Sequence, residues 1–263
     1  MARFKLTIEF AGTRYSGWQI QKNARTVQGE LTAAVAAALS SAEFELYGAG
    51  RTDAGVHALH QVAHLEARTM VAPEILRRKI NAELPADINV LEIEKAPPRF
   101  HARHDAIARS YLYQISRRRT AFGKRLVWWV KDELDIKRMR AAAAVFEGMK
   151  DFRSFTVDDP EEKSTQVHIE EIELRECGDL ILIRFVGSHF LWKMVRQIVG
   201  VMVEAGKGNI TLDQIKAMFE KHSDQPSMLT APPSGLFLEQ TYYPNDKRLE
   251  RMEPVIPITS RRR

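Results

Sequence analysis

One cysteine in 263 residues leaves Cys177 without a partner for an internal disulfide. No apolar run approaches the roughly 20 residues that a helix needs to cross a bilayer. The start, Met1-Ala2-Arg3-Phe4-Lys5, has neither the apolar core of a signal peptide nor transit-peptide character. These absences lead to the expectation of a cytoplasmic protein. The chain also lacks the G-x-x-x-x-G-K-[ST] and G-x-G-x-x-G fingerprints, so neither common phosphate cradle is present. No strand pattern carries the RNP1 motif of RRM-type RNA binders.

What the chain has is positive charge in one place. From Arg99 to Lys131 there are nine Lys or Arg and one acid, Asp105, a local balance of +8 against +5 for the whole chain. Phe100, Tyr111, Tyr113, Phe122, Trp128 and Trp129 are threaded through it. Cations interleaved with aromatics suit a polyanion that carries bases to stack. A solvated basic face over buried aromatics would produce the same composition.

Hydrophobic periodicity orders the rest. Phe4, Leu6, Ile8 and Phe10 alternate as a half-buried strand. Thr26 can cap a helix with Val27, Leu31, Ala34, Val35 and Ala38 on one face. Strands are expected at 44–48, 61–66 and 88–94, with a helix opened by Pro73 before the last. The order then recurs: a strand around Tyr111–Ile115, a helix capped by Asp135, a hairpin turning at Cys177-Gly178-Asp179, an apolar helix over 190–205 stopped by Gly206, a capping box at Thr211 and Gln214, and a closing strand from Leu236 to Tyr243. The expected class is α+β. Two ferredoxin-like (RRM-like) β-α-β-β-α-β halves, 1–105 and 106–245, form a mixed, largely antiparallel sheet flanked by helices. The segment 155–166, which contains Asp158-Asp159-Pro160-Glu161-Glu162, reads as a surface loop, and 246–263, ending in Arg261-Arg262-Arg263, as a basic tail.

The most informative stretch is Gly48-Ala49-Gly50-Arg51-Thr52-Asp53-Ala54-Gly55-Val56-His57. Three glycines and two alanines leave its backbone bare for close approach, and it presents one carboxylate and one guanidinium. Taken by itself, a lone Asp in such a loop reads as a turn residue. However, Gly50-Arg51-Thr52-Asp53-Ala54-Gly55-Val56-His57-Ala58 resembles the active-site motif of the TruA family of tRNA pseudouridine synthases. Other blocks follow the family in order: Tyr15-Ser16-Gly17-Trp18-Gln19-Ile20-Gln21, Phe100-His101-Ala102-Arg103, Arg109-Ser110-Tyr111-Leu112-Tyr113, Asp151–Phe155, Met194–Gly200 and Gly235–Leu238. Ala11, His168 and Ser188-His189 depart from the pattern.

The resemblance implies an isomerase that needs no cofactor or metal. It breaks the bond from ribose C1′ to uracil N1, turns the base and rejoins it through C5. The uridines implied lie at positions 38–40, in the anticodon stem-loop, and the family's homodimers place one tRNA across both subunits. Asp53 becomes the nucleophile, with attack at C1′, attack at C6 and a glycal route all open. Arg196, set between Val195 and Ile198 in the apolar helix, is the cation expected to keep that carboxylate ionised, or else it reaches the surface. Arg51, two residues before Asp53, is assigned to a phosphate of the target nucleotide or to holding the base extruded. Tyr111 is expected to stack on the uracil, although Tyr113 shares its strand face.

His57, His60 and His64 have the spacing of a zinc site on a helix, but Gly55 and the alternation of Val62, His64 and Glu66 favour loop then strand, and no metal is expected. Three competing readings remain at this stage. A non-catalytic RNA binder has no need of Asp53. A metal-dependent nuclease requires clustered carboxylates where this loop has one. A pseudouridine synthase acting on another RNA would share every motif.

Overall fold

The computed structural model describes residues 1–157 and 164–258. Of the segment expected as a surface loop, 158–163 lies outside them, as does the terminal Arg261-Arg262-Arg263, while its described ends differ from expectation: Phe155 is buried and Gln166 opens a strand. The described chain divides into two compact units, one of 1–107 and 237–247, the other of 108–236 and the segment from 248 on.

The first unit runs β1 (Ala2–Phe10), α1 (Val27–Leu39), β2 (Phe44–Gly48), β3 (His57–Ala67), α2 (Pro73–Glu83) and β4 (Ile88–Lys95). Strand β1 lies between β3 and β4, antiparallel to both, and β2 pairs antiparallel with β3. That is the order β4-β1-β3-β2 of a ferredoxin-like unit. Alternation in β1 puts Phe4, Leu6, Ile8 and Phe10 inside, where they share a core with Leu31, Val35, Leu76 and Ile80 of the two helices. Each such side chain contributes roughly 1.5–3 kcal/mol on burial. Thr26 caps α1 by accepting from the Gly29 amide at 3.2 Å. Strand β3 begins at His57 rather than 61, because a register shift against β1 lets pairing continue to Ala58.

The second unit contains β5 (Ala108–Ser116), β6 (Trp128–Trp129), α3 (Ile136–Phe146), β7 (Gly148–Asp151), β8 (Gln166–Cys177), β9 (Leu180–Gly187), α4 (Met194–Lys207), α5 (Leu212–Glu220) and α6 (Gln225–Met228). Its strands are ordered β5-β9-β8-β7, all antiparallel, with the short β6 parallel to β5. Asp135 caps α3, and Thr211 with Gln214 forms the expected capping box. The β8–β9 hairpin turns where expected, with Gly178 at φ 59°.

Helix α4 differs from expectation at both ends. It begins at Met194, after Lys193 in a left-handed conformation, and passes through Gly206 to stop at Gly208, φ 84°. Gly206 serves packing: a Cβ there would meet Met139 at 2.8 Å. The last strand, β10 (Leu236–Tyr242), differs too. The second half was expected to end with it, yet 237–247 belongs to the first unit, where Phe237 and Leu238 pair in parallel with His57 and Ala58. The sheet is thereby mixed, as the α+β reading required. The segment expected as a loose tail is seated on the second unit as far as 258. Met252 and Ile258 are buried, Arg175 donates to the Met252 carbonyl at 2.7 Å, and the Val255 amide donates to Gln114 at 2.7 Å. Among the described residues, no helix is long and apolar enough to cross a membrane.

Candidate active site

The Arg51–Asp53 loop links β2 to β3 and is braced by the segment after β1. The Trp18 amide donates to the Thr52 carbonyl at 3.1 Å, the Gly55 amide to the Tyr15 carbonyl at 3.2 Å, and the Val56 amide to the Asp53 carbonyl at 3.1 Å. Backbone contact this close excludes side chains. A Cβ on Gly17, whose φ is 89°, would meet the Thr52 oxygen at 2.4 Å, and one on Gly12 would meet the Val56 oxygen at 1.8 Å. Gly48 leaves room for the buried Trp18 indole. The structure gives no steric reason for Gly50, which faces open space.

Two side chains hold the brace. The Tyr15 hydroxyl donates to Asp87 at 2.6 Å, and Arg14 pairs with the same carboxylate at 2.7 Å. Burial, then this hydrogen bond, pushes the Tyr15 phenol above its ordinary value. Burial alone would raise Asp87, but hydrogen bonds from Tyr15 and Arg14 bring its carboxyl below the usual range. Within the loop Thr52 is buried, Arg51 is exposed and Asp53 is half-buried. The charged side chains on either side of buried Thr52 thus both retain solvent exposure.

Tyr111 and Arg196 lie in the second unit, on regular elements. Tyr111, on β5, is half-buried, its ring edge-on to Phe190 at 5.1 Å. Tyr113 is fully buried, donates to the Pro232 carbonyl at 2.7 Å, and has Gly235 packed against its ring. Burial pushes its phenol well above the ordinary value. Of the two tyrosines that the strand pattern left equivalent, Tyr113 is therefore core. Arg196, on α4, is half-buried, and its Nε donates to the Ala231 carbonyl at 2.7 Å.

The basic segment is less free than its sequence suggests. Arg117 pairs with Glu176, and Arg118 with Asp179 at 2.7 Å, whereas Arg119 and Lys124 line a surface cavity. The three histidines do not act as a set. His57 accepts from the Gly12 amide at 3.0 Å and stacks on Phe237, His64 accepts from the Ala102 amide at 3.1 Å, and His60 is exposed. Sequence reasoning missed the brace of Gly12, Gly17, Tyr15 and Asp87. Its one visible signal was a pair of glycines in a segment with no regular periodicity.

The model of the tRNA pseudouridine synthase family matches residues 6–105 and 142–244. A tRNA pseudouridine synthase A of Geobacter sp. (strain M21) is 40% identical over 93% of this chain and 100% of its own. The protein of that name from Agrobacterium fabrum is 38% identical over 98% of each chain. That from Exiguobacterium sibiricum is 36% identical over 94% of this chain and 99% of its own. Among solved structures, a Cbf5–Nop10–Gar1 complex covers 76% of this chain and 45% of its own at 13% identity, with a TM-score of 0.35, too low to bear on the fold. The family match and these relatives identify an RNA-modifying isomerase that converts uridine to pseudouridine in tRNA. The chain belongs to the tRNA pseudouridine synthase family.

Proposed function

We propose that the protein isomerises uridines of the tRNA anticodon stem-loop, at positions 38–40, as a cytoplasmic homodimer without cofactor or metal. Asp53 is the nucleophile, Tyr111 the ring that stacks on the uracil, Arg51 the contact to a phosphate of that nucleotide, and Arg196 a further cation of the substrate-binding set. The observation that carries this reading is the loop bearing Arg51 and Asp53, braced by a backbone that approaches it too closely for a Cβ at Gly12 or Gly17. A carboxylate nucleophile works only when held in place, because positioning supplies much of its advantage over a free acid. Extruding a base costs a few kcal/mol, and stacking on one aromatic returns about 1–3 kcal/mol, enough to offset much of it.

The reaction has a direct readout. Carbon C5 must lose its hydrogen when it bonds to C1′, so tRNA tritiated at C5 of uridine should release tritium to water. Release should persist in EDTA, without nucleotide or methyl donor, and the RNA should keep its mass. A binding protein would retain the tRNA and release nothing, and a nuclease would shorten it. No release from several folded tRNAs would remove tRNA isomerisation as the activity, and release on another RNA would redirect the substrate.

A further inference from the structure

Beside the Asp53 loop, within the first unit, is a concave pocket of about 360 Å³, at the lower end of the range that holds small ligands. Its lining includes Tyr47, His101, His104, Gln19, Arg51 and Arg103. Tyr47 stands on β2 opposite His64 of β3, and the two rings stack at 5.4 Å with 26° between their planes. His101 lies 4.6 Å from His64 and His104 4.2 Å from His101, tilted by 59° and 47°, so the four rings form one contiguous aromatic cluster. The chain that carries His101, Arg103 and His104 is pinned from beneath. The Ala102 amide donates to His64, and the Ala102 carbonyl accepts from the buried Tyr243 hydroxyl at 2.6 Å.

Burial disfavours charge on His64 and His101. His64 is pushed down to about 4 by burial, and then by His101 and Arg3. His101 is lowered by burial and by His104, and its Nδ1 accepts from the Arg103 and His104 amides. The Arg51 and Arg103 guanidiniums bring positive charge to the pocket, and no carboxylate lines it. The Gln19 carboxamide, donating to Gln28 at 2.9 Å, adds a polar group with both donor and acceptor capacity. Tyr47 is 50% exposed, a large ring at the surface of the cluster. Aromatic rings, two guanidiniums and one carboxamide suit a single-stranded nucleotide: a face to stack on, cations for phosphate and an amide for a base edge.

We propose that this pocket is a second nucleotide subsite. It takes an unpaired base neighbouring the uridine to be isomerised, stacked on Tyr47, with Arg51 on the phosphate that joins the two nucleotides. Adjacency follows from Arg51, which lines the pocket and stands two residues from Asp53. The inference rests on the proposed reaction at Asp53 and adds to it a determinant of which uridine is chosen.

The test uses the full-length protein and tritiated tRNA. Tyr47→Ala should raise KM at least fivefold, the factor that about 1 kcal/mol of lost stacking produces, with a smaller effect on kcat. Tyr47→Phe keeps the ring and should stay within twofold of wild type. Equal losses in both variants, or none in either, would overturn the subsite. Thermal melting of each variant separates a stacking defect from a folding defect. Because Tyr47→Ala uncovers His64, a third variant, Tyr47→p-benzoylphenylalanine, keeps an aromatic cover and cross-links to RNA under light. It should cross-link to one nucleotide adjacent to the isomerised uridine. Cross-links that are absent, scattered or confined to the isomerised uridine itself would also overturn the proposal. Wild-type protein that releases no tritium would instead defeat the reaction on which the subsite rests.

Discussion

The two units carry their proposed functional residues in opposite ways. In the first, Arg51 and Asp53 stand on a loop with no ladder of its own, held by amide-to-carbonyl bonds from the segment after β1. In the second, Tyr111 and Arg196 stand on β5 and α4, whose own hydrogen bonds position them. The difference teaches where mutational damage spreads. A loop held by a neighbouring backbone is disturbed by changes in that neighbour, whereas a strand or helix keeps its side chains in place unless its core is lost.

The largest expected effect is at the loop. Asp53→Asn keeps size and hydrogen bonding but removes the nucleophile, so tritium release should fall to background. Affinity for tRNA should change by less than about tenfold, or 1.4 kcal/mol. Measurable turnover by this variant at the wild-type rate would remove Asp53 from the chemistry.

Next in size is the pair on β5. Tyr111→Ala should lower kcat/KM by roughly a hundredfold or more, since it removes the stacking face and water exclusion together. Tyr111→Phe should retain most activity if the ring alone acts, and a severe loss would bring the hydroxyl into movement of the C5 proton. Tyr113→Phe should cost about 1 kcal/mol of stability, for the lost bond to the Pro232 carbonyl, with little change in kcat. Full activity in Tyr111→Ala would place the stacking ring elsewhere.

The comparison itself is tested by two glycines. Gly17→Ala puts a Cβ 2.4 Å from the Thr52 oxygen at a positive φ. It should cost about 1–3 kcal/mol of stability and lower kcat at least tenfold by shifting the loop. Gly206→Ala in α4 meets the flexible Met139 side chain at 2.8 Å. Its overpacking, about 1–3 kcal/mol, is partly offset by a helix-propensity gain of about 1 kcal/mol, and kcat should stay within twofold. Equal kinetic damage from both would erase the distinction between a braced loop and a self-supporting element.

An effect that leaves activity at neutral pH untouched is on acid stability. Burial, then His101 and Arg3, hold His64 down to about 4, below its unfolded value near 6.5. The unfolded chain therefore takes up this proton first. His64 lets the fold keep full stability above about pH 6.5 and lose it as pH falls toward 4, by at most about 1.4 kcal/mol per pH unit. Urea midpoints of wild type and His64→Gln across that window should show a flatter dependence in the variant. Parallel curves would assign the acid sensitivity to other groups.

Much of this was legible from residue order. The stripe of α1, the caps at Thr26, Asp135 and Thr211, and the β8–β9 turn are local, and each followed from spacing and side-chain chemistry within a few residues. The same locality explains the errors. Gly206 reads as a helix stop because glycine usually is one, but contact with Met139 of another helix, far off in sequence, keeps it inside α4. The segment from 248 reads as a tail because it has no period, yet it is held by Arg175, Gln114 and two buried apolar side chains.

The sequence by itself determined the family, the α+β class and the loop that bears Asp53, because these depend on residue identity in ordered blocks along the chain. Tertiary structure alone decided which of Tyr111 and Tyr113 is core, which backbone braces the loop, and that Tyr47, His64 and the segment of His101 and His104 share one aromatic cluster. Those outcomes depend on burial and on contacts between positions far apart in sequence, for which a local pattern carries no signal.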